Sequence, residues 1–239
     1  MTHTYPVRIR WSDLDVLDHV TNVVYADLAT DALGAMERDG LLPHGDLVSL
    51  ALDYLAPLEL DHEDVRVESV VRGGAVDQVI HSSTDGTPLR AATMRAELGV
   101  RAALTSDGPG TFAWDQIVRP SDLGPSGLVA PGRIFTYFQE ARAQLQMRAR
   151  TPEAGGATVV VHSECHYGVP LGWRTEPYLV SSWVGDITRS SITVLAELTD
   201  GETVHARGQA TVVGFDRETG RSRPLTGEER ERISAFQRP

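Results

Sequence analysis

The sequence predicts an α+β protein made of two tandem copies of one domain, each a long helix followed by an antiparallel sheet. Three observations carry this: segments that recur at a slowly rising spacing, the same order of helical and strand-like patterns after each recurrence, and a run of turn formers between the halves. Arg10-Trp11-Ser12-Asp13-Leu14 returns as Arg119-Pro120-Ser121-Asp122-Leu123, an offset of 109. Tyr54-Leu55-Ala56-Pro57-Leu58 returns as Tyr167-Gly168-Val169-Pro170-Leu171 at offset 113, and Asp85-Gly86 as Asp200-Gly201 at offset 115. Offsets that rise in order indicate a duplicated domain that has gained a few loop residues; chance matches would scatter.

In the first copy, Val7, Ile9 and Trp11 alternate with polar residues, the period of a half-buried strand. Val24, Leu28, Ala32 and Met36 then recur every four residues beside Tyr25 and Leu33, an apolar helical stripe that ends at Gly40. Strand-like runs follow near Leu47 to Tyr54, Val65 to Val71 and Val76 to Ser83, and Asp85-Gly86 signals a hairpin into a last strand ending near Val100. The second copy repeats the order, with Ile134, Phe138, Ala141 and Leu145 on one helix face. Its strands fall near Thr158 to His166, Pro177 to Val184, Ser191 to Leu198 and Thr203 to Phe215. Thr226 with Glu229 three residues on forms a capping box for a short C-terminal helix. The turn-forming run Thr105 to Gly110 places the boundaries: residues 1–104, a linker at 105–111, and residues 112–239.

Composition narrows the function. Hydrophobic residues at 41% and charged residues at 23% match folded globular proteins. A net charge of -11 argues against nucleic acid and anionic membrane as partners, since both reward a basic surface. All 22 basic residues are arginine, so neither a Schiff-base lysine nor a P-loop lysine is available. Cys165 is the single cysteine, which fits a reducing compartment and reads as a small buried hydrophobe. With no long apolar run and no secretory layout at Met1 to Arg10, the expected location is cytoplasmic.

The run Val7-Arg8-Ile9-Arg10-Trp11-Ser12-Asp13-Leu14-Asp15, then His19-Val20-Thr21-Asn22 and Tyr25, resembles the hotdog superfamily of acyl-CoA thioesterases, in the branch of 4-hydroxybenzoyl-CoA thioesterase. The likeness is sharp over Val7 to Ala32 and reaches both copies in element order. It implies two hotdog domains, each a sheet wrapped around a central helix, paired as an intramolecular pseudo-dimer with the site in the cleft between them, and possible homo-oligomers beyond that. It also implies hydrolysis of acyl-CoA or acyl-carrier thioesters without a cofactor or metal. By position, Asp15 matches the catalytic carboxylate, as base or nucleophile, and Asn22 the residue at the helix start whose backbone N–H faces the thioester oxygen. A thioester carbonyl needs a nucleophile or activated water on one side and an oxyanion donor on the other, and a helix N-terminus supplies the second. The sequence departs from the pattern at Asp18, where the family has Gly, and at Thr21, which replaces the first of two asparagines.

At offset 109, Asp15 becomes Gly124, His19 becomes Leu128 and Asn22 becomes Pro131, which has no N–H to give. The second copy thus reads as a degenerate partner. His19 joins Asp15 and Asn22 as a catalytic candidate; Tyr25, Asp18, His162 and Glu164 are candidates for binding substrate. Tyr25 lies on the apolar side of its helix, where a core role is the commoner use. His162, Glu164 and His166 share one strand face, a spacing too short by itself to specify a metal. Asp31 and Glu140 occupy equivalent helix positions and read as solvated or paired carboxylates. The alternatives to acyl-CoA hydrolysis are an acyl-carrier-protein thioesterase and a non-catalytic module that binds acyl thioesters.

Overall fold

The first strand of the chain lies earlier than the alternation of Val7, Ile9 and Trp11 predicts. In the computed structural model, which describes residues 2–42, 45–149, 157–216 and 218–238, β1 is Thr2–Pro6 and pairs antiparallel with β3 (Glu63–Arg72). Val7 adds one more rung, its N–H donating to Val65 O at 2.8 Å. There β3 itself is interrupted: its register against the next strand shifts between Glu63 and Arg66, and Asp64 has a positive φ of 49°. The ladder therefore stops, and the chain enters a 3-10 turn at Trp11–Asp13 with Trp11 81% exposed.

The chain divides into two compact units, Met1–Arg101 with Pro131–Arg133, and Ala102–Ala130 with Ile134–Pro239. In unit 1, helix α1 (Asn22–Arg38) is followed by β2 (Asp46–Tyr54), β3, β4 (Ala75–Thr84) and β5 (Thr87–Gly99). The strands stand in the order β1-β3-β4-β5-β2, all antiparallel. The β4–β5 hairpin turns on Asp85 and Gly86, both with positive φ (49° and 74°), the conformation that a two-residue turn between twisted strands requires. Helix α1 ends in a Schellman motif: Leu41 N–H reaches back to Met36 O at 2.9 Å and Gly40 N–H to Glu37 O at 3.0 Å, with Gly40 at φ 68°.

The buried face of α1 keeps most of the predicted stripe and differs at Val24 and Leu28. Tyr25, Ala29, Ala32, Leu33 and Met36 are buried, whereas Val24 and Leu28 are half-buried. Every-fourth spacing drifts around a helix of 3.6 residues per turn, and the sheet selects the stripe on which the small residues allow close approach. Gln78 of β4 shares this core; its Nε2 donates to Ala29 O at 3.1 Å and to Ser69 Oγ at 3.2 Å, joining sheet to helix through a buried polar bond.

Unit 2 repeats the plan. It comprises β6 (Phe112–Gln116), a 3-10 turn at Pro120–Asp122, α2 (Pro131–Ala149), β7 (Ala157–Tyr167), β8 (Tyr178–Ile187), β9 (Ser191–Thr199), β10 (Val204–Asp216), β11 (Arg221–Ser222) and α3 (Gly227–Ser234). The order β6-β8-β9-β10-β7 is that of unit 1 strand for strand, with β11 added beside β10. Here the predicted helix face holds: Ile134, Phe138, Ala141 and Leu145 are all buried. Leu145 packs with Phe112, Val184, Val194 and Val212, and Ile233 of α3 joins this core. The Thr226 capping box is present, Thr226 Oγ1 accepting from Glu229 N–H at 3.1 Å. Cys165 is fully buried, as a small hydrophobe should be. Asp200-Gly201 differs from its counterpart, forming a longer loop in which Asp200 Oδ1 accepts from the N–H groups of Glu202 and Thr203 at 3.0 and 2.8 Å. Ser106, Asp107 and Gly110, in the turn-forming run, lie in unit 2 and bond to its Glu197 and Ser181.

Candidate active site

The loop from the 3-10 turn to α1 is built by backbone hydrogen bonds that recur, one for one, in unit 2. Asp15 N–H donates to His19 O at 2.8 Å, and Gly124 N–H to Leu128 O at 2.7 Å. Asp18 N–H donates to Asp15 O at 3.1 Å, and Gly127 N–H to Gly124 O at 3.0 Å. Val20 N–H reaches Leu58 O at 2.7 Å, and Val129 N–H reaches Leu171 O at 2.8 Å. Thr21 N–H and Ala130 N–H donate to Asp13 O and Asp122 O. The offset of 109 read from sequence is thus the structural one, and Gly124 and Pro131 stand where Asp15 and Asn22 stand.

Within unit 1 the loop brings five of the seven predicted residues together. Asp15 is exposed; its Oδ1 accepts from Leu17 N–H at 2.8 Å and His19 N–H at 3.3 Å, an Asx-turn that holds the loop closed. Asp18 is exposed and sits at φ 60°, the conformation that explains glycine in the family pattern. His19 is half-exposed, with Nε2 3.8 Å from Glu59 Oε1. Asn22 is the first residue of α1; the Thr21 side chain makes no capping bond, so the first-turn N–H groups and the positive end of the helix face the loop uncapped by it. Tyr54 Oη fixes this end by donating to Asn22 O at 3.0 Å. Tyr25 is buried, its hydroxyl accepts from Leu58 N–H at 2.9 Å, and its ring meets Tyr54 edge-on at 5.2 Å. Burial pushes the Tyr25 hydroxyl well above the usual range for a phenol. Its place is in the packing beneath the loop.

His162 and Glu164 lie on β7 of unit 2. Together with His166 they occupy the more open face of that strand, opposite buried Ser163, Cys165 and Tyr167, and Glu164 Oε1 pairs with His166 Nε2 at 2.9 Å. Asp31 and Glu140 are exposed, although desolvation by its surroundings still raises the Asp31 pKa above the ordinary carboxylate value. Asp27 was not singled out by the sequence. It lies half-buried on α1 between buried Ala26 and Ala29, and burial raises its pKa above the ordinary carboxylate value. A carboxylate set between two small apolar helix positions is the signal that finds it.

Residues 2–96 match the family described as acyl-ACP thioesterase C-terminal domain, and residues 118–233 match the thioesterase-like superfamily. Each half of the chain thus matches a thioesterase family model. Among solved structures, the chain is similar to a thioesterase from Thermus thermophilus complexed with coenzyme A and Zn, at 28% identity and TM-score 0.50 over 55% of this chain and 98% of that one. It is also similar to the 12:0-ACP thioesterase from Umbellularia californica, at 10% identity and TM-score 0.65 over 89% and 94% of the two chains. An acyl-ACP thioesterase from Bacteroides thetaiotaomicron is similar at 14% identity and TM-score 0.58, over 88% and 97%. These last two likenesses concern the fold. The chain matches no curated protein sequence. No helix among the described residues is long and apolar enough to cross a membrane.

Proposed function

We propose that the protein hydrolyses acyl-CoA thioesters, with Asp15 as base or nucleophile and the Asn22 N–H as oxyanion donor. The observation that carries this reading is the contrast between two loops whose backbone hydrogen bonds recur: one holds a carboxylate and a helix-start N–H, the other Gly124 and Pro131. Asp15 engages Oδ1 with the Leu17 and His19 N–H groups, which leaves Oδ2 to activate water or to attack the carbonyl. His19, Asp18 and Tyr25 belong to the same loop or its support; His162 and Glu164 are proposed to contact substrate from unit 2. The likeness to the coenzyme A-bound thioesterase supports the CoA form of the substrate.

An acyl-carrier-protein thioesterase is the second reading, favoured by the family match over residues 2–96. Thiol release from a panel of acyl-CoA chain lengths, run beside the same acyl groups on carrier protein, separates the two. Turnover on acyl-CoA that is lost in Asp15→Asn supports the first reading; turnover on carrier alone supports the second, and none on either leaves a binding module.

The domain division at residues 1–104 and 112–239 and the pairing of the copies as a pseudo-dimer belong to the same proposal, because a lone sheet of this kind leaves an edge open. Small-angle scattering of a compact pair should give a radius of gyration of about 18 Å. Two separate beads would give a clearly larger value.

A further inference from the structure

The turn between β2 and β3 carries a cluster whose composition is that of a metal site. Glu59, Asp61 and His62 each offer one ligand atom, and these atoms lie within 4.8 Å of one another. A fourth donor comes from a different element: His19 sets its Nε2 3.8 Å from Glu59 Oε1. That separation is too long for a hydrogen bond. It is near the spacing of two ligands on one ion, since bonds of about 2.1 Å at tetrahedral angles place neighbouring ligand atoms about 3.4 Å apart.

The backbone holds the two segments together before any ion arrives. Val20 N–H, next to His19, donates to Leu58 O at 2.7 Å, and Leu58 N–H, next to Glu59, donates to the buried Tyr25 hydroxyl at 2.9 Å. His62 N–H closes the turn on Glu59 O at 3.3 Å. The side chains above this frame are half-exposed or exposed, which leaves them room to turn toward a shared ion about their own bonds. His62 Nδ1 accepts only a long 3.3 Å bond from Glu59 N–H, which a metal readily replaces. Two imidazoles with two carboxylates suit zinc and its first-row neighbours, whereas calcium and magnesium favour oxygen throughout.

We propose that His19, Glu59, Asp61 and His62 bind one divalent first-row transition ion, Zn2+ foremost, and that the ion ties the Asp15–Asn22 loop to the β2–β3 turn. The site does not depend on the thioesterase reading. The test uses the full chain, stripped with chelator and titrated calorimetrically with ZnCl2, with the visible spectrum of Co2+ as a second readout. One Zn2+ per chain is expected, with a raised melting temperature. Asp61→Asn and His62→Gln, at side chains outside the core, should each weaken binding at least tenfold. The double variant should lose it, and MgCl2 should not replace zinc. Absence of Zn2+ binding at about 0.1 mM, weaker than about -5 kcal/mol, would overturn the proposal. So would undiminished binding in the double variant, which would move the ion to a group such as His162, Glu164 and His166.

Discussion

Asp18 and Gly127 occupy the same place in the two loops, with φ of 60° and 76°. Asparagine and aspartate tolerate this left-handed region better than most residues, but glycine adopts it without a Cβ penalty. Gly127→Ala should therefore cost about 1 kcal/mol from backbone strain alone, because nothing lies within 4 Å of the added Cβ. Asp18→Gly should be neutral or stabilising by a few tenths of a kcal/mol, relief of strain being partly offset by a freer unfolded chain. Denaturant midpoints of the two variants check both signs.

Asp15→Asn keeps an oxygen that accepts from the Leu17 and His19 N–H groups, so its stability should stay within about 1 kcal/mol of wild type while thioester hydrolysis is lost. Adding Gly124→Asp should restore nothing. The second loop has the backbone to hold that carboxylate, yet Pro131 still withholds the N–H, and one missing oxyanion donor costs about 10² to 10³ in rate. Substantial recovery in the double variant would show that the oxyanion account of Pro131 is mistaken.

Tyr54 Oη holds the Asn22 carbonyl at 3.0 Å and its ring packs edge-on against Tyr25. Tyr54→Phe keeps the ring and removes the bond, with an expected loss of about 1 kcal/mol. If Asn22 supplies the oxyanion donor, the loosened helix start should lower kcat several-fold with KM little changed. The same fall in kcat from distant control variants of equal stability loss would count against the positioning role.

Acid should weaken unit 2 through Asp200. Its carboxylate accepts from Thr203 N–H first and from Glu202 N–H, and lies 3.3 Å from His205 Nε2, which holds its pKa down at about 2. A depressed carboxylate stabilises the fold above its unfolded value near pH 4 and loses that contribution as pH falls to about 2. The melting-temperature gap between wild type and Asp200→Asn should be full at pH 6, shrink below pH 4 and close near pH 2. A gap independent of pH would assign the effect to packing.

The sequence by itself determined what depends on local periodicity. The duplication, the order of one helix and its strands in each half, the hairpin at Asp85-Gly86, the cap at Thr226 and the loss of Asp15 and Asn22 counterparts in the second copy were all legible, because spacing and turn chemistry act between near neighbours. Tertiary structure decided the rest. How far the stripe of α1 is buried depends on the sheet that covers it, so Val24 and Leu28, at the edge of the predicted stripe, stay half-buried while Ala29 is buried. The end of β1 was set by the irregularity at Asp64 in a strand some sixty residues away, and the buried bond from Gln78 to Ala29 spans 49 residues. The approach of His19 to Glu59 belongs here too: it follows from Val20 bonding to Leu58, a long-range contact on which no periodicity in either segment bears.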